Sequence, residues 1–96
     1  MKAVFISFYQ AFYNDMLDIL DKLEIRGFTY WPEVQGRGSV DGEPHYGTHA
    51  WPTLNAAILT FVADDKVKPL MEAVHQLDET APRQGLRAFI LQAEEL

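Results

Sequence analysis

A four-stranded antiparallel sheet with two helices on one face, an α+β ferredoxin-like βαββαβ sandwich, is the fold class this sequence predicts. Three observations predict it. Four runs rich in β-branched and aromatic residues alternate with two stretches of helical apolar spacing, in that order. At 96 residues the chain suits one domain, 1–96, with a modest core. Its 48% hydrophobic and 23% charged residues suit a folded globular chain, not a disordered one.

Residues 2–9, KAVFISFY, are β-branched and aromatic and read as the first strand. In NDMLDILDKLEI, Met16, Ile19, Leu20 and Leu23 fall at i, i+3, i+4 and i+7, which predicts a helix. Asn14 is the expected N-cap and Gly27 lies just past the end. Residues 28–35 read as the second strand, with Phe28, Tyr30 and Val34 expected on one face. Pro32 cannot donate to a ladder, so this strand belongs at an edge. TLNAAILTFV, 53–62, is the third strand. The second helix opens with Asp64 and Asp65 as cap candidates, and Val67, Leu70, Met71, Val74 and Leu77 form its stripe. Pro69 is expected near the first turn, where a helix tolerates it. GLRAFILQ, 85–92, is the fourth strand.

Three of these strands are apolar on both sides. Val4, Ile6 and Phe8 alternate with Ala3, Phe5 and Tyr9; Ala56, Ile58 and Val62 with Ala57, Leu59 and Phe61; Leu86, Ala88 and Ile90 with Phe89 and Leu91. Right-handed crossovers place both helices on one side of the sheet. The other side is then an apolar patch larger than monomers normally expose, and self-association about a symmetry axis is expected.

The net charge of −6 with only eight scattered Lys and Arg argues against nucleic acid and anionic membrane surfaces as partners. No cysteine is present, so disulfides and thiolate metal sites are excluded. The opening MKAVFISFYQAFYND lacks a small-residue cleavage pattern, and no run approaches the roughly 20 apolar residues of a membrane span. A cytoplasmic protein without membrane insertion is expected.

Residues 36–52 keep no strand or helix pattern, and loops of that length are usually functional or disordered. Gly36 and Gly38 flank Arg37, leaving the backbone free to approach a ligand. His45 and His49, with Asp41 or Glu43, supply donors of the type that zinc, copper or nickel accept. They equally suit a hydrogen-bonded histidine pair, which we favour because four-residue spacing on a loop fixes no ligand geometry. His75 belongs to a solvated helix face. Trp51-Pro52 and Trp31-Pro32 frame the loop and suit packing at an interface. Ser39, His45 and Asp41 have the residue types of a hydrolytic site, but a loop is a poor platform for that chemistry, so no enzyme is expected.

Taken together, LEIRGFT, EVQGRG, Gly42, the Tyr46-Gly47 pair, ILTFVADDKVKPLMEAV and a closing Gly-led strand resemble the PII superfamily of nitrogen-regulatory signalling proteins over nearly the whole chain. The resemblance implies a homotrimer. It makes 36–52 the counterpart of the family's signalling T-loop and 80–87 that of its B-loop. Departures accompany it. Val40 stands where many members carry a glutamine for 2-oxoglutarate with Mg-ATP. TAPRQGLR has one glycine, Gly85, and no lysine in place of a phosphate cradle. The family's C-terminal arginines have no counterpart, and the T-loop is shorter. Tyr46 lies near the tyrosine that some members uridylylate. The resemblance therefore implies a divergent PII-like sensor whose intersubunit clefts bind a small ligand through Gly36, Arg37, Gly38, Gly85 and Arg87. Arg37 and Arg87 would take an anion, with an adenine nucleotide as one ligand class. Loop 36–52, with Tyr46 and Trp51, would signal to a transporter or an enzyme through an order–disorder switch. Two alternatives stand beside it. One is a transition-metal-binding trimer using His45, His49 and Glu43; the other is a trimeric adaptor without a small ligand.

Overall fold

A computed structural model describes all residues, Met1–Leu96. Its strands are β1 (Lys2–Tyr9), β2 (Phe28–Val34), β3 (Asn55–Val62) and β4 (Arg87–Gln92). The helices are α1 (Tyr13–Lys22), entered through a 3₁₀ turn at Gln10–Phe12, and α2 (Asp64–Thr80), followed by a 3₁₀ turn at Pro82–Gln84. The strands form one sheet in the order β2-β3-β1-β4, and every neighbouring pair is antiparallel. This is the βαββαβ arrangement expected from the sequence.

β1 and β3 are central, with Val4 opposite Thr60, Ile6 opposite Ile58 and Phe8 opposite Ala56. These side chains are all buried, and they pack with Met16 and Leu20 of α1 and Leu70 and Val74 of α2 in one core. Helical spacing thus delivers both stripes to the same face of the sheet. Polar groups join the layers. The Thr60 hydroxyl donates to the Gly27 carbonyl at 2.6 Å, and the Lys66 ammonium of α2 donates to the Leu23 carbonyl at the end of α1, also at 2.6 Å. The second contact sets a cation where the last carbonyls of α1 lack helical partners.

The opposite face is bare. On it, Phe61, Ala3 and Leu91 form one row across β3, β1 and β4, and Leu59, Phe5 and Phe89 form the next. Phe61 and Phe89 are each 55% exposed and Leu91 is 53% exposed. Trp31 of β2, paired with Ala57, lies on the same side and is also exposed.

Five local expectations are corrected, the last at the end of α1. The register of β2 slips between Trp31 and Val34, so an extra residue bulges at Pro32-Glu33. Phe28 and Tyr30 face the helices, but Val34 pairs with Asn55 and turns to the other side. Asn14 lies inside α1, which starts from Phe12 without a side-chain cap; the preceding 3₁₀ turn carries the chain into the helix instead. Likewise α2 starts from Ala63 without a side-chain cap, with Asp64 and Asp65 in the first turn beside the helix's positive end. Pro69 falls in the second turn of α2, where the Asp65 carbonyl has no N–H four residues on to receive.

The end of α1 is set by Glu24 and not by Gly27. Glu24 takes φ 57°, its N–H donates to the Asp21 carbonyl at 3.0 Å, and the Ile25 N–H reaches back to the Leu20 carbonyl at 2.8 Å. This pair of bonds is a Schellman cap, completed by the burial of Ile25 beside Leu20 in the core. A non-glycine residue in the left-handed region is strained by its Cβ. Glu24→Gly is therefore expected to stabilise the protein by about 0.5–1 kcal/mol. A urea midpoint that is unchanged or lower would contradict this account of the cap.

Candidate functional site

The segment between β2 and β3 folds back on itself twice. Gly36 and His45 form an antiparallel bridge, the Gly36 N–H donating to the His45 carbonyl at 3.0 Å and the His45 N–H to the Gly36 carbonyl at 2.8 Å. It closes a first finger, 37–44, whose tip is a turn with the Gly42 N–H donating to the Ser39 carbonyl at 3.1 Å. A second bridge, Tyr46 with Leu54, closes a second finger, 47–53. Within that finger the Thr48 N–H donates to the Trp51 carbonyl at 2.8 Å, and the Trp51 N–H to the Thr48 hydroxyl at 3.1 Å. The Gln35 amide donates to the Tyr46 carbonyl at the root of both.

His45 is the pin that holds this root to the sheet. It is only 2% exposed, and its Nδ1 meets Asn55 Oδ1 at 2.6 Å. Asn55 is also buried, and its amide nitrogen donates onward to the Ser7 hydroxyl at 3.4 Å. The Tyr9 ring packs beside the imidazole, with centroids 5.7 Å apart. A buried polar pair of this kind is costly to leave unmade, so it selects one position for the chain that carries it.

His45 therefore serves the hydrogen-bonding role that the sequence favours, though its partner is Asn55 and not His49. His49 is exposed on the second finger and Glu43 is exposed on the first. No three His, Asp or Glu side chains of the chain come together as a set that could hold a metal ion.

The first finger meets the turn after α2 with no side chain between them. Gly38 lies so close to Gly85 that a Cβ on Gly38 would fall within the Gly85 backbone. Gly85 itself has φ 71°, where L side chains are strained. Glycine is thus required on both sides of the contact.

Beside it opens a cleft of about 360 Å³ with no hydrophobic lining residue. Ser39, Asp41 and Glu43 come from the finger; Arg83, Gly85 and Arg87 come from the facing segment. Arg87 is anchored at the start of β4 opposite Ser7, the residue that also receives Asn55. The cleft and the His45 pin therefore share one end of the sheet. Each of the two guanidinium groups is the kind of planar donor that phosphate and carboxylate groups accept, and Arg87 Nη1 also donates to the Leu86 carbonyl at 2.8 Å.

Of the residues expected to bind ligand, Gly38, Gly85 and Arg87 come together here. Gly36 belongs to the bridge with His45, and Arg37 is exposed but does not line the cleft. Tyr46 is half-buried at its bridge to Leu54, whereas Trp51 is 41% exposed on the second finger. Arg83 and Ser39 are cleft residues that sequence reasoning does not single out as ligand-binding. The one signal for Arg83 is its place in the segment 80–87. Asp41 reads from sequence as a donor type, without its place opposite two arginines.

No family model and no curated protein matches the chain by sequence. Solved structures match it in fold. CPII from Thiomonas intermedia K12, a nitrogen regulatory PII-like protein bound to ADP, AMP and bicarbonate, aligns with a TM-score of 0.75 and 21% identity, over 93% of this chain and 81% of that one. The apo form of the same protein gives 0.70 and 19% identity, over 93% and 84% of the two chains. A PII-like protein from Thermus thermophilus gives 0.65 and 18% identity, over 93% and 82%. The chain therefore has the fold of PII-like proteins, as its sequence resemblance implied. No helix is long and apolar enough to cross a membrane.

The Gly38–Gly85 contact yields a direct expectation. Gly38→Ala should cost about 1–3 kcal/mol, because the new methyl must drive two backbone segments apart. Val40→Ala, at a position 90% exposed, serves as the matched control and should be neutral. Hydrogen exchange should quicken at the Gly36, Gly42 and His45 amides in Gly38→Ala only. Wild-type stability and protection in that variant would refute the close contact.

Proposed function

We propose that this chain is a PII-like regulatory protein: a homotrimer that binds a small anionic ligand in the cleft between 39–43 and 83–87 and reports occupancy through loop 36–52. The observation that carries the proposal is the Gly38–Gly85 contact. It sets the loop and the arginine-bearing segment against one another, so a ligand between them touches both. A ligand moves a loop only by binding one of its arrangements better than another, and such two-sided contact provides that difference.

The ligand class follows from the lining and from the fold relatives. Two arginines and no hydrophobic residue in the lining suit an anion. One relative is described as bound to ADP, AMP and bicarbonate. An adenine nucleotide, with its phosphate on Arg83 and Arg87, is the ligand we assign, and bicarbonate is the small anion to test beside it.

The switch we envisage is narrower than disorder of the whole loop. The His45–Asn55 pin and the two bridges hold the root, while the finger 37–44 moves against segment 82–87. The second finger, with the exposed Trp51, is the surface offered to a protein partner, a transporter or an enzyme. The role is regulatory binding and not catalysis.

The trimer is supported by the bare sheet face. Burying a Phe, Leu or Trp side chain completely is worth about 1.5–3 kcal/mol, so covering the exposed halves of Phe61, Phe89, Leu91 and Trp31 stabilises each subunit by roughly 3–6 kcal/mol. Sedimentation equilibrium at micromolar concentration should give three times the 11.0 kDa chain mass, and Phe89→Glu should weaken that association. A folded monomer at that concentration would remove the trimer. For the ligand, calorimetric titration with AMP, ADP and bicarbonate tests binding. Arg87→Ala should weaken nucleotide affinity about 10- to 100-fold, the value of one charge-assisted hydrogen bond. No heat with any of the three, or an Arg87→Ala protein that binds as well as wild type, would defeat the assignment.

A further inference from the structure

We infer that Asp41 and Glu43 make the cleft a discriminator of ligand charge, admitting singly or doubly charged anions in preference to polyphosphates. The inference rests on the cleft being the ligand site, and it adds which residues set its selectivity.

The lining carries two guanidinium groups, Arg83 and Arg87, and two carboxylates, Asp41 and Glu43. Its formal charge therefore cancels, within a chain whose net charge is −6. Neither carboxylate is spent on an ion pair: the pairs that form are the N-terminus with Asp64 and His75 with Glu79, both elsewhere. Nor do Asp41 and Glu43 belong to a set of three side chains that could hold a metal ion. They stand in the cleft wall without a direct ion-pair partner, on the finger opposite the arginines.

Such an arrangement treats ligands unequally. The arginine fork satisfies one phosphate or carboxylate group, and its attraction is largely used by that first group. Each further negative charge meets repulsion from Asp41 and Glu43 on the facing wall. No hydrophobic residue lines the cleft, and AMP, ADP and ATP share the same base and sugar, so the number of phosphate charges is what separates them. Repulsion of the unwanted ligand is a recognised source of specificity, and here the repelling groups lie on the finger that the ligand is to move.

The test is calorimetric titration of the intact protein with AMP, ADP and ATP, at fixed ionic strength and with EDTA present to keep divalent cations from masking phosphate charge. Wild type is expected to bind AMP at least as tightly as ATP. Asp41→Asn/Glu43→Gln should strengthen ATP binding by about tenfold or more, and AMP binding by less than about threefold. Asp18→Asn/Asp21→Asn, which removes two exposed carboxylates from α1, should leave the ATP-to-AMP ratio as in wild type. Three results would overturn the inference: tighter ATP than AMP binding by wild type, an equal gain for all three nucleotides in the cleft variant, or the same shift in the α1 control. Binding without charge discrimination sinks this inference alone. Absence of binding by all three nucleotides, in wild type and variants alike, sinks the ligand assignment and this inference with it.

Discussion

The central pair of strands, β1 and β3, constrains everything else in this molecule. Each presents apolar side chains on both sides, because its residues alternate between two faces and few of them are polar. Two right-handed crossovers commit both helices to the face carrying Val4, Ile6, Phe8 and Ile58. The other face has no layer left to cover it. Whatever this protein does, it does while managing the surface formed by Phe5, Phe61, Phe89 and Leu91, and neighbouring copies of the chain are the simplest cover.

The same pair of strands also supplies the platform for the loop. At the end of the sheet where β1 finishes and β3 begins, the side chains change character, from Phe5 and Leu59 to Ser7, Tyr9 and Asn55. Asn55 receives His45, and His45 brings the root of the loop down onto the sheet. A long insertion between two strands would ordinarily be a mobile arm. Here a buried hydrogen bond fixes its root, and two small hairpin-like fingers leave from it. One finger carries its glycine against Gly85, where the turn after α2 arrives. Rigid elements thus present a polar cleft, and the part expected to move is short, a requirement that functional loops generally meet by resting on a stable scaffold.

Much of the architecture was legible in the sequence. The four strands and both helices lie where alternation and helical spacing put them, and the apolar second face follows from listing alternate residues of three strands. Pro32 signalled the edge position of β2 because a missing N–H is tolerable only there or at a bulge. Boundaries were harder. Asn14 and Gly27 carry the right residue types for caps, yet a 3₁₀ turn and a left-handed Glu24 set the ends of α1. Propensity at a helix end is worth about 1 kcal/mol, and burial of Ile25 against Leu20 outweighs it.

The candidate site divides along the same line. Composition and local spacing determined the elements, the two-sided sheet, the exclusion of thiolate chemistry and a glycine-rich loop with histidines and arginines near it. Tertiary structure alone decided what those residues mean. It set His45 against Asn55, ten positions away along the chain, and made it a pin. It brought Gly38 onto Gly85, left Arg37 outside the cleft, and put Asp41 and Glu43 across from Arg83 and Arg87. The physical reason is that strand and helix periodicity is encoded between near neighbours. The approach of two irregular segments depends on where distant strands end, and no local pattern records that distance.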